Sequence, residues 1–324
     1  MSRLPVVLSL AALSLAALSL VSCQKRTKKL IGVVPKATSD LFFVSVHAGV
    51  DAAARELGVD VLWNGPRSET EYSRQIEIVD SMIARHVDAL AISADDHAAL
   101  VKPVKRAMDA GIPVTIFDSG LDLKGFVTFV ATDNYAAGQT AARRLAAMIH
   151  GKGKVGELMH KPGGMSTGDR ERGFEEVMAK EFPAIQIVGR QYGMADRAKA
   201  RDAAEDILTA HPDLDGMFAS AESNSIGAVQ AIKARGLSGK VKLVTFDSSD
   251  MHIDALKDGT IDLMLVQDPY RIGYEAVRSL VEKLGGRAPA QTIALEVHEI
   301  GKSDLAKPDV QALLFPKWKT EQQP

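Results

Sequence analysis

The sequence predicts an α/β protein made of two doubly wound lobes with mainly parallel sheets, on three observations. From Leu30 onward, short apolar runs alternate with amphipathic stretches whose apolar residues recur at helical spacing. The alternation restarts near Val127 and gives about ten strands, more than one doubly wound domain of ordinary size holds. The chain has 324 residues, whereas a single core stops growing at roughly 250–300.

In the first half, buried strands are expected at Leu30–Val34, Val59–Trp63, Ala89–Ser93 and Val114–Phe117. Between them, Val44–Leu57, Tyr72–Arg85 and Leu100–Ala110 have the helical period. Gly58 and Gly111 stand where helix C-terminal glycines belong. In the second half, strands are expected at Val127–Val130, Val155–Met159, Ile185–Val188, Gly216–Ala219, Val241–Phe246 and Ile261–Val266. Helices are expected at Tyr135–Ile149, Asp169–Glu181, Ala195–Ala210, Ser225–Ala234, Met251–Lys257 and Ile272–Leu284, before a final strand near Thr292–Glu299. Such alternation implies right-handed crossovers. No Pro- or Ser-rich linker divides the chain, so the lobes are expected to share a hinge of several short crossings.

Composition narrows the function. The chain is 46% hydrophobic and 25% charged, ordinary for a soluble globular protein. Lys+Arg number 39 against 41 Asp+Glu, a formal charge of −2, which gives no bulk attraction for nucleic acid. One cysteine excludes an intrachain disulfide framework and a Cys-rich zinc site.

The N-terminus pairs a short positive start with an apolar run, Leu4 to Ser22, the pattern of a secretory signal. Leu20-Val21-Ser22-Cys23 resembles the bacterial lipobox, and the lone cysteine sits at the lipidated position. Residues 1–22 are therefore read as a signal peptide and 23–29 as a lipidated Cys23 with a basic tether. This places the protein in the periplasm or cell envelope, held to the membrane by its lipid anchor alone.

In open parallel sheets, ligands sit at the carboxyl ends of the strands, so the polar residues there are the binding candidates. Lys36 follows the first strand, with Asp40, Phe42 and Phe43 at the next helix start. Neighbouring helix residues point about 100° apart, so one Phe packs inward and the other can face a cleft. Asp118 and Ser119 follow the fourth strand. Asp247 repeats the Phe-Asp pattern in the second half, and Gln267 ends the strand after it. Arg170 is placed at a helix start, where the helix dipole disfavours a cation, which argues that it is held for a ligand or paired with Asp169 or Glu171. Planar polar groups beside aromatic faces suit a polyhydroxylated ligand.

Catalytic signatures are missing. Gly151–Gly156 matches G-x-G-x-x-G but follows a helix and enters a strand, so it reads as a turn. No Walker A or H-E-x-x-H sequence occurs. The histidines show no metal-ligand spacing and are read as mostly surface or capping residues. No catalytic residue, metal or cofactor is expected.

Phe42-Phe43, Gly111-Ile112-Pro113-Val114 leading to Asp118, Ala131-Thr132-Asp133-Asn134, Arg170-Glu171-Arg172-Gly173-Phe174, Phe246-Asp247 and Gln267 occur in order. On these residues the chain, over roughly 30–300, resembles the sugar-binding periplasmic proteins of ABC transporters, of the ribose-binding type. The resemblance implies the type I periplasmic binding protein fold: two Rossmann-like domains joined by three hinge strands near Asp133, Gln267 and Glu296. It implies lobes of 30–132 plus 268–296 and 133–267 plus 297–316, with a tail at 317–324. Carried over, Phe42 and Phe43 contact the sugar ring, Asp118, Arg170, Asp247 and Gln267 bond its hydroxyls, and Lys36 reaches the ligand.

The chain also departs from the ribose pattern. Ser39 and Asp40 replace two asparagines, Ser119 replaces an arginine, and Ala221 replaces an asparagine, with Glu222 and Asn224 beyond. Ala195 replaces a third aromatic, with Tyr192 near. Asp40, Ser119, Tyr192, Glu222 and Asn224 are secondary ligand candidates. A different pentose, a polyol, a sugar acid or a furanosyl signal molecule all fit these departures.

The expectation is a monomeric solute-binding lipoprotein that delivers a sugar-like ligand to an ABC permease by hinge closure. The alternative on the same fold is a sensor that hands its closed form to a chemoreceptor or histidine kinase. An extracytoplasmic enzyme using Asp118 and Asp247 as an acid–base pair is the third reading.

Overall fold

A computed structural model describes residues 28–316. The expected signal peptide, Cys23 and the 317–324 tail lie outside the described residues. Lys28 and Lys29, expected in the tether, already lean on the fold: Lys29 pairs with Asp88 at 2.9 Å, and its carbonyl accepts from the Asp60 N–H.

The first sheet contains β1 (Leu30–Val34), β2 (Asp60–Trp63), β3 (Ala89–Ile92), β4 (Val114–Phe117), β5 (Phe129–Thr132) and β11 (Thr292–Leu295), in the order β11-β5-β4-β3-β1-β2. All its pairings are parallel. The second contains β6 (Gly153–Met159), β7 (Ile185–Tyr192), β8 (Gly216–Ala219), β9 (Lys242–Phe246), β10 (Leu263–Val266) and β12 (His298–Ile300), in the order β12-β10-β9-β8-β6-β7. Only β12 runs antiparallel in this sheet, against β10. Burial on both faces explains why these strands read as continuous apolar runs.

Helices cover both faces of each sheet. Against the first sheet, α1 (Leu41–Leu57) and α9 (Pro269–Leu284) pack on one face, and α2 (Tyr72–Ala84) and α3 (Val101–Asp109) on the other. Against the second, α4 (Asn134–Met148) and α5 (Met165–Glu181) oppose α6 (Arg197–Ala210), α7 (Glu222–Ala234), α8 (Asp250–Asp258) and α10 (Pro308–Leu314). Among the described residues the chain changes sheets after β5, after β10 and between β11 and β12. Of the strands flanking these crossings, β5, β10, β11 and β12 lie at or beside one edge of their sheets.

Each lobe has one helix pair in very close contact. A Cβ at Gly49 of α1 would lie 1.9 Å from the Tyr270 carbonyl oxygen of α9. In the second lobe, a Cβ at Gly138 of α4 would lie 2.0 Å from the Arg170 carbonyl oxygen of α5. Gly138 therefore fixes the depth at which Arg170 enters its lobe.

The element boundaries depart from expectation in informative places. α5 starts at Met165, four residues before the expected Asp169, so Arg170 lies in its second turn. The dipole argument therefore does not apply to Arg170, because that effect fades beyond the first turn. Ser166, Thr167 and Gly168 have weak helix propensity, and tertiary packing overrides it. The expected strand Thr292–Glu299 divides into β11 and β12, one in each sheet. Gly151 and Gly153 adopt φ of 72° and 127° in a turn from α4 into β6, as the phosphate-loop look-alike was expected to do.

Candidate functional site

A cavity of about 510 Å³ lies between the carboxyl ends of the two sheets. Lys36, Phe42, Phe43, Asp118, Arg170, Asp247 and Gln267 all line it, as do Asp40 and Glu222. Ser119, Tyr192 and Asn224 do not. Ser119 is buried beside the cavity, Tyr192 is 43% exposed at the end of β7, and Asn224 donates to the Leu158 carbonyl beneath the cleft floor.

From the first lobe, β1 delivers Lys36 and β4 delivers Asp118. Lys36 Nζ lies 3.2 Å from Glu69 and 3.4 Å from Asp118. Burial would lower the lysine's pKa, but Asp118, Glu69 and Asp95 outweigh it and hold Lys36 above its usual range. Burial would likewise raise Glu69, but Lys36 and His160 hold it well below the carboxylate range. Ser93 donates to Asp118 at 2.8 Å. Phe43 is buried in the core and Phe42 is half-buried, with their rings edge to face at 5.1 Å. The one-in, one-out expectation for this pair describes their burial, although both reach the cavity wall.

From the second lobe, α5 delivers Arg170, β9 delivers Asp247, and β10 ends at Gln267. The Arg170 guanidinium donates to Asn134 Oδ1 at 2.7 Å and to the Ser220 carbonyl at 2.9 Å. It lies 4.0 Å over the Phe246 ring. Neither Asp169 nor Glu171 pairs with it: Asp169 accepts from Arg172, and Glu171 from the His160 N–H and Ser220. Gln267 donates to Asp247 at 2.8 Å. Burial raises the Asp247 pKa, with Arg170 and Gln267 opposing. Burial also pushes Glu222 up to about 7, although Arg197 donates to it at 2.7 Å.

Several cleft groups were not singled out from the sequence. Glu69 sits in the loop after β2, and His160 follows β6. His160 Nε2 meets Glu69 at 3.1 Å across the two lobes. It is buried in the cleft, an exception among histidines read as mostly surface or capping residues. Lys161 donates to the Asp95 carbonyl at 2.5 Å, and the His97 N–H donates to the Gly163 carbonyl. These bridges lie on the β3-β1-β2 and β6 side, away from the crossing strands. Ser166 and Thr167 line the cavity with buried hydroxyls that have no partner among the described residues, and Gln267 Oε1 is in the same condition. The one available sequence signal was that Ser166 and Thr167 precede Arg170 in a turn after a strand. Among the described residues no His, Cys, Asp or Glu cluster could hold a metal ion.

Comparison with known proteins places this geometry. The periplasmic binding protein domain family matches residues 31–288. The D-ribose/D-allose-binding protein of Pseudomonas aeruginosa is 32% identical over 298 residues, covering 88% of this chain and 92% of its own. The ribose import binding protein of Bacillus subtilis is 29% identical over 264 residues, with coverages of 82% and 84%. An ABC transporter solute-binding protein from Agrobacterium vitis, bound with α-D-tagatopyranose, superposes with a TM-score of 0.85 at 33% identity, covering 89% of this chain and 99% of that one. A carbohydrate transporter solute-binding protein from Agrobacterium radiobacter, in complex with D-arabinose, gives 0.87 at 32% identity, with the same coverages.

Proposed function

This chain belongs to the periplasmic binding protein family, whose members bind rather than transform, and we propose that it captures a sugar or sugar-like polyhydroxylated ligand in the cleft and delivers it to an ABC permease. One observation carries the reading. Seven polar and aromatic residues from five separate stretches of the chain converge on one cavity that also holds buried hydroxyl and amide groups without partners among the described residues. Such groups cost free energy until something bonds them, and a sugar brings many hydroxyls at once.

In this reading Phe42 and Phe43 pack on the ring's C–H surface. Lys36, Asp118, Arg170, Asp247 and Gln267 take its hydroxyls, joined by Ser166 and Thr167. Asp40 and Glu222 border the ligand from opposite lobes. The crossings near Asp133, Gln267 and Glu296 form the hinge, and ligand bonds to both lobes stabilise the closed state over the open one. Lipidation of Cys23 would tether the protein at the membrane beside its permease. The relatives that are ribose, allose or arabinose binders support the ligand class.

Thermal-shift screening of the purified protein against pentoses, hexoses and polyols tests this. A ligand at 100 times its Kd adds about 2.7 kcal/mol of native-state stability and raises Tm. No shift with any compound, and no sugar released from the denatured protein by mass spectrometry, would overturn the proposal.

A further inference from the structure

We propose that the cleft selects a cationic polyhydroxylated ligand, an amino sugar or aminated polyol, over a neutral sugar or a sugar acid. This inference rests on the sugar-capture reading and deepens it. Six carboxylate side chains line the cavity against three side chains of permanent positive charge. Each of the three is already engaged: Lys36 with Glu69 and Asp118, Arg197 with Glu222, and Arg170 with Asn134 and a carbonyl.

Asp40 is left over. It occupies the N-cap position of α1, where an aspartate ordinarily accepts a backbone N–H, yet it makes no capping bond. Its hydrogen bond is a long one from Ser39 at 3.4 Å. Glu222 lines the same cavity from the first turn of α7, in the other lobe. The two carboxyl groups border one cavity from opposite lobes, and a cation between them would favour their ionised forms.

A second observation concerns hydrogen-bond type. The buried cavity atom Gln267 Oε1 has no partner among the described residues, and it can only accept. The Ser166 and Thr167 hydroxyls are also unpartnered there. An ammonium offers three donors and no acceptor, whereas a carboxylate offers only acceptors. The carboxylates and Gln267 Oε1 are therefore complementary to the first and repel the second, while the Ser166 and Thr167 hydroxyls suit either.

Titration calorimetry on triplets of common stereochemistry tests this, with the ring carrying only hydroxyls, an amine at C2 or a carboxylate at C6: D-glucose, D-glucosamine and D-glucuronate, and the galacto counterparts. An amine member should bind about tenfold or more tighter than its neutral parent, a difference of about 1.4 kcal/mol, and the acid should not bind. Asp40→Asn and Glu222→Gln, each confirmed folded by circular dichroism, should shrink the amine-to-neutral ratio. A neutral sugar, from the triplets or a pentose panel, binding as tightly as any amine or tighter overturns the charge reading and leaves sugar capture standing. Silence from every member of both sets removes both.

Discussion

The two lobes present the same motif to the cleft in different states of satisfaction. Asp118 and Asp247 each follow a buried phenylalanine at a strand tip, and both adopt left-handed backbone, with φ of 57° and 69°. Asp118 Oδ2 is held within its own lobe by Lys36 and by the Ser93 hydroxyl. Asp247 receives one bond from Gln267, and its nearby cation, Arg170, donates elsewhere. The unpartnered Ser166 and Thr167 belong to the second lobe as well. The Asp118 tip is thus held by its own lobe, whereas the Asp247 tip lies among polar groups that the protein leaves unbonded.

The strongest way to break this contrast is Arg170→Ala. It removes a buried cation facing Asp247 and strips Asn134 of its donor, and should cost about 3–5 kcal/mol of stability and abolish measurable binding. Denaturant unfolding and calorimetry would show both; retained affinity would remove Arg170 from the site.

The paired substitutions Asp118→Asn and Asp247→Asn sharpen it. Asparagine tolerates left-handed backbone, so each exchange isolates charge. Asp118→Asn should destabilise by about 3 kcal/mol, since Lys36 loses one buried partner. Asp247→Asn should change stability by less than about 1 kcal/mol near neutral pH. The folded pKa of Asp247 is raised, so the native state holds its proton longer than the unfolded chain does. Its contribution is therefore fully present below the unfolded carboxylate pKa and is lost as pH rises through the folded one. The wild-type Tm should fall more steeply across that window than the Tm of Asp247→Asn. Equal costs for the two variants would erase the distinction between the two tips.

His160→Ala probes the contact that joins the halves. Loss of the bond to Glu69 should weaken ligand affinity by about 1.5–3 kcal/mol and shift the scattering profile toward an open form. An unchanged profile with unchanged affinity would leave this bridge no part in closure.

A comparably small effect is expected away from the cleft. Glu157 lies on β6, fully buried, and burial together with Glu175 and Glu171 holds its pKa well above the usual range. Here too stability falls as pH rises past the unfolded carboxylate range. Glu157→Gln should add about 1 kcal/mol near neutral pH and flatten Tm against pH. A lower Tm at every pH would contradict it.

Much of the fold was legible because strand and helix periods are local. Leu30–Val34, Val114–Phe117 and Gly216–Ala219 lie where their apolar runs placed them. Asp118, Asp247 and Gln267, which line the cavity, were legible as candidates because open parallel sheets gather ligands at strand ends. The start of α5 was missed because Ser, Thr and Gly read as loop, and it becomes helical only against α4. Ser119 and Asn224 stand next to the right strands and helices but point into the protein rather than the cleft, an orientation that sequence spacing does not encode.

The sequence by itself determined two sheets, their covering helices and the strand tips that carry Lys36, Asp118 and Asp247. Only the tertiary structure decided that Glu69 meets His160, that Arg170 lies in a second helical turn over Phe246, and that Asp40 faces the cleft instead of capping α1. The physical reason is range. Periodicity arises between neighbours a few residues apart, whereas the site forms between side chains far apart in the chain, brought together only when two separately wound sheets are set facing each other.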